Sequence, residues 1–292
     1  MTFDSIPLTA QQEFLGDWIN LLGHQRAAHQ ILMDLFNPQT VMQDETRRKI
    51  IGWYIRFDLF AGMMSGGETK LGREWFAASR DFYTRNSRER PDDTVAQLER
   101  YFAESRLLAT DIALLFAAKG KQTVGDAEFS TEVSRLLAQS AAFGEELEGA
   151  FPDASGFVQT FPNTPSTSEE DIADYRDPKF LLDGDLFTMN FVKLDYWSID
   201  LMLKYNLFMA APEQQSQQEL MEIALKKCKM IEMIQHFENG PPGVILGCQA
   251  SLGIASLFLP KEPKYTNWCR RKYALVEQKG CVNPRSCGNE PG

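Results

Sequence analysis

Apolar residues recur along this chain at spacings of three, four and seven, while runs that alternate apolar with polar residues are almost absent. That period belongs to the α-helix, and it sets aside a β-sheet as the main scaffold before any other property is weighed. Thr9-Ala10-Gln11-Gln12 reads as a capping box opening a stripe through Phe14, Leu15, Trp18, Ile19 and Leu22. The stripe resumes at Ile31, Leu32 and Leu35 and stops at Asn37-Pro38. A second follows Asp44 through Ile50, Ile51, Tyr54, Phe57 and Met64, with glycines at 62, 66 and 67 marking its end.

Further helices are expected over Leu71 to Tyr83, over Thr94 to Lys119, and through Val133, Leu136, Leu137 and Phe143 after Gly125-Asp126. The composition changes at Phe151, and 151–178 is rich in Pro, Ser, Thr and acid, which reads as an internal loop or tether pinned by its phenylalanines. Asp185 to Phe208 is apolar on every side, the pattern of a centrally placed helix. Glu213 to Phe237, Pro242 to Leu259 and Pro263 to Lys279 complete the set, and 281–292 is an irregular tail. The expectation is an all-α protein: a multi-helix bundle of about nine or ten helices over 1–280, with one long internal loop.

Two stretches resemble catalytic or nucleotide-binding signatures and fail on chemistry. GMMSGGET, 62–69, has the glycines and threonine of a phosphate loop, but Glu68 stands where lysine would neutralise phosphate, and a helix rather than a strand precedes it. A close-packed turn between helices is expected there. QASLG, 249–253, has Gln249 where a nucleophile elbow needs glycine, so Ser251 is expected to pack inside a helix. His24, His29 and His236 have no metal-ligand spacing, and no catalytic or metal-binding residue is assigned. Arg56 with Asp58, and Asp195 and Asp200 near Trp197, are expected to form structural ion pairs within apolar surroundings.

Five cysteines, none in C-x-x-C, argue against a disulfide framework or zinc site and for a reducing compartment. The net charge of −10 disfavours a duplex-gripping surface. Arg47-Arg48-Lys49 and Arg270-Arg271-Lys272 read as solvated helix faces or a nuclear-import signal. MTFDSIPLTAQQEF lacks the basic leader and apolar core of a secretory signal, and 240–260 is too broken by Pro and polar residues for a membrane span.

Four dispersed stretches carry a family resemblance: YIRFDLFAGMMSGGETKLGREWF at 54–76, RLLATDIALLFAAKG at 106–120, LFTMNFVKLDYWSIDLMLKY at 186–205, and PPGVILGCQASLGIASLFLP followed by NWCRRKYALVEQKG, ending at 280. In that order they resemble the fungal-specific transcription factor domain, the regulatory region of fungal binuclear zinc-cluster transcription factors. The resemblance implies an all-helical nuclear domain that controls activation in response to a partner or metabolite. The six closely spaced cysteines that hold two zinc ions in such factors are missing, so these residues are not expected to bind DNA directly.

The leading expectation is a transcriptional regulator acting through protein contacts, as a homo- or heterodimer partner of a DNA-binding factor, with no cofactor and no membrane. A second is a small-molecule sensor in which Trp53, Phe57, Trp197 and Tyr205 line a pocket for an apolar effector. A third is a helical enzyme of unrecognised mechanism, which would lack the aspartate-rich metal motif such enzymes use.

Overall fold

In the computed structural model the described residues are 18–65, 68–150, 156–161, 171–174, 176–210 and 217–280. They form nine α-helices, and no strand beyond one isolated bridge, Phe157 to Leu182, occurs among them. No helix among them is long and apolar enough to cross a membrane. The chain divides into two compact units, Met1–Ala150 and Phe151–Gly292, at the point where its composition changes.

The first unit contains α1 (Trp18–Leu35), α2 (Glu45–Ser65), α3 (Arg73–Glu89), α4 (Thr94–Gly120) and α5 (Asp126–Gly149), with a 3-10 turn at Val41–Gln43. The capping box expected at Thr9–Gln12 lies outside the described residues. A carboxylate side chain caps the start of two of these helices, because the first turn leaves N–H groups unbonded. Asp44 accepts the Arg47 N–H at 2.9 Å, and Asp93 accepts those of Val95 and Ala96 at 3.0 and 3.2 Å. α4 is the centre of the unit, with α2, α3 and α5 packed on it. It buries Tyr101, Leu107, Leu108 and Ile112. Arg48 ties three elements together: it donates to the Met42 carbonyl at 2.8 Å and lies over the Phe82 ring at 4.6 Å.

The second unit contains α6 (Met189–Ala210), α7 (Gln217–His236), α8 (Gln249–Ser256) and α9 (Pro263–Gly280), with 3-10 turns at Gly184–Leu186 and Val244–Cys248. α6 and α8 both pack on α7, and α9 lies on α8 and the second 3-10 turn. At the start of α6, buried Asn190 clamps the incoming chain. Its Oδ1 accepts the Leu182 N–H at 3.0 Å, and its Nδ2 donates to the Leu182 and Phe187 carbonyls at 2.9 and 2.8 Å. Part of the acid-rich loop is pinned here too. Val158 is buried and donates to Leu181 O at 2.9 Å, so an aliphatic residue, beside the expected phenylalanines, anchors it.

Two expectations change. The single helix expected over Pro242 to Leu259 divides into the 3-10 turn and α8. Gly243 enters it with φ 74, and a Cβ on Gly247 would meet the Phe191 ring at 2.8 Å. The segment is entered through a left-handed residue and packs against α6 more closely than a side chain permits. Leu35, at the last turn of α1, is exposed where the stripe placed it inside.

Candidate functional site

The second unit concentrates its buried polar chemistry on α7. Leu220, Ala224, Lys227, Ile231 and Ile234 follow helical spacing, so Lys227 occupies a position the pattern reserves for an apolar residue. Its side chain is fully buried and donates to Ser198 Oγ on α6, which donates onward to Leu194 O at 2.7 Å. Burial, opposed by the nearby charge of Asp195, pushes the ammonium down to about 7.

One turn on, Glu232 draws α9 against α7. It accepts the indole N–H of fully buried Trp268 and the Lys272 ammonium at 2.6 Å, and His236 lies 3.5 Å from it. Burial alone would raise its carboxyl, but His236, Lys272 and Trp268 outweigh that and hold it down to about 2. Burial pulls Lys272 down while Glu232 pulls it up, so the secured charge in this cluster is the carboxylate, which has several donors. Lys272 makes a further bond to Gln235 Oε1. Nearer the start of α7, Lys204 of α6 joins Asp200 and Glu219 at 2.9 and 2.8 Å.

Gln235 also lines a cleft of about 240 Å³ between the end of α7, the 3-10 turn and the last turns of α9. Phe237, Val244, Ile245 and Leu275 supply apolar walls, and Lys279 supplies a cation. The polar cluster therefore adjoins the cleft through a single side chain.

The four aromatic residues expected to share an effector pocket fall in two groups. Trp53 and Phe57 are in the first unit, stacked on each other within α2 at 5.7 Å between ring centres and 8° between planes. Trp197 and Tyr205 are on α6 in the second unit. Trp197 packs on Phe180 at 5.8 Å with Lys226 over its ring at 4.6 Å, and Tyr205 meets Phe258 at 5.2 Å. Each ring thus has an aromatic neighbour within its own unit.

The other singled-out residues serve the fold. In GMMSGGET, Gly66 and Gly67 lie outside the described residues, but α2 runs to Ser65, so a helix enters the turn. Glu68 pairs with Lys121 at 2.7 Å, and the Thr69 hydroxyl donates to Leu71 O at 2.9 Å. Ser251 is buried within α8. Asp200 forms its expected ion pair, whereas Asp58 does not. Buried Asp58 accepts N–H groups of Gln25, Lys70 and Leu71 at 2.7, 2.9 and 2.8 Å, and Arg56 is exposed. Backbone amides already aimed at a buried oxygen satisfy it without desolvating a cation. Among the described residues, no three His, Cys, Asp or Glu side chains gather as a group able to hold a metal ion.

Sequence reasoning missed Lys227, Glu232, Trp268 and the cleft, and it placed Lys272 on a solvated basic face where the structure buries it against Glu232. For Lys227 the signal was present, since it sits three residues after Ala224 and four before Ile231 on one face. Glu232 meets Trp268 and Lys272 across separations of 36 and 40 residues, and no local pattern marks such pairs. Comparison of the chain with protein-family models, curated proteins and solved structures returns no match.

Proposed function

We propose that this chain is a helical regulatory domain of the fungal zinc-cluster transcription factor type, working in the nucleus through contacts with a DNA-binding protein partner rather than by gripping DNA itself. The observation that carries the reading is where the four resembling stretches fall. They occupy, in order, the α2–α3 turn held by Asp58, the second half of α4, most of α6, and the 3-10 turn with α8 and α9. Each supplies buried residues to its unit: Tyr54 and Trp75, Leu108, Leu194, then Ile254 and Trp268. The resemblance thus coincides with the packed frame. A net charge of −10 also sets these residues against a polyphosphate surface.

The test joins the full chain to an unrelated DNA-reading domain in a fungal reporter strain. A change in reporter output, up or down, is expected. An unchanged reporter, or tight sequence-specific mobility shifts of DNA by the purified chain alone, overturns the proposal.

A further inference from the structure

We infer that the cleft between the end of α7, the 3-10 turn Val244–Cys248 and α9 is an effector site for a small monocarboxylate with an apolar ring or branched-chain body. The walls set the body: Phe237, Val244, Ile245 and Leu275 offer carbon surface. The volume sets the size. About 240 Å³ lies just below the range of drug-sized ligand pockets, which suits a small organic molecule.

The polar groups set the head. An ammonium can only donate, so the Gln235 atom that meets Lys272 is its oxygen, and the amide N–H₂ is what Gln235 has left to offer the cleft. Lys279, the other polar side chain on the wall, is likewise a pure donor. Two donors, beside an amide oxygen already engaged by Lys272, complement an anionic acceptor, and the carboxylate is the smallest organic one that fits both. A ligand held by Gln235 is one bond from Lys272 and two from Glu232, the group that fixes α9 to α7. Occupancy therefore favours the state in which that seam is closed.

The inference extends the regulatory reading by naming what controls the second unit, and a binding measurement keeps the two separable. The full chain is titrated by calorimetry with 3-phenylpropanoate and 4-methylpentanoate and with their neutral amides. Saturable binding of at least one acid is expected, with its amide at least about tenfold weaker, the worth of one charge-assisted contact. Lys279→Met, a change on an exposed residue, is expected to remove that preference. Leu275→Trp, which fills the cleft, is expected to abolish binding of acid and amide alike, with circular dichroism reporting its fold. Should Leu275→Trp not fold, the Lys279→Met result decides alone. No saturation by either acid, equal binding of acid and amide, or an acid preference that survives Lys279→Met overturns the inference. The reporter experiment is unaffected by any of these results.

Discussion

Two buried side chains show what the fold demands of individual residues. Lys227 is a cation in an apolar position, and its burial lowers its pKa from 10.5 to about 7. The unfolded chain therefore binds a proton between these values that the folded chain does not, so this residue makes stability rise with pH across that window and imposes its full cost below about 7. Lys227→Met is expected to stabilise the protein at pH 6 by roughly 2 kcal/mol and to remove that slope, as read from urea unfolding at several pH values. Ser198 keeps its bond to Leu194 O, so the substitution strands no hydroxyl. Asp58 differs, because two of its three partners are backbone groups held in place by the chain. Asp58→Ala leaves the Lys70 and Leu71 N–H groups without their acceptor and is expected to cost about 3 kcal/mol in the same measurement.

At the level of elements, Glu232 is the carboxylate at the seam between α7 and α9, where it takes bonds from both Trp268 and Lys272. Folding lowers Glu232 from 4.5 to about 2, so its contribution is complete above about 4.5 and is lost as pH falls through about 2. A shift of that size corresponds to roughly 3 kcal/mol at most. Glu232→Gln is expected to flatten the acid limb of the stability profile, and Trp268→Phe, which removes the indole donor, to steepen it less than the wild-type chain shows. Helices themselves were legible in the sequence, because a 3.6-residue period in apolar residues needs no partner to be visible. Thr94 to Lys119, for example, matches the observed Thr94–Gly120. The break within 242–259 was not legible. An apolar run reads alike as 3-10 turn or α-helix, and the cause lies in the approach of Gly247 to Phe191, far away in sequence.

For the whole molecule, each unit has its own centre, α4 in Met1–Ala150 and α7 in Phe151–Gly292. Expressed alone, residues 1–150 are expected to give a helical circular dichroism spectrum and one cooperative thermal transition. A spectrum without helix, or a transition without cooperativity, would show that this unit borrows its stability from the rest of the chain. The sequence by itself determined the all-helical class, the position of most helices and the composition change at Phe151, since each is written in residues close along the chain. Tertiary structure alone decided that Lys227 meets Ser198, that Asp58 serves amide N–H groups instead of a cation, and that Gln235 stands between a polar cluster and a cleft. Those outcomes depend on which helix faces meet. Meeting faces are fixed by how both surfaces exclude water and satisfy their polar groups together, and no single helix encodes that.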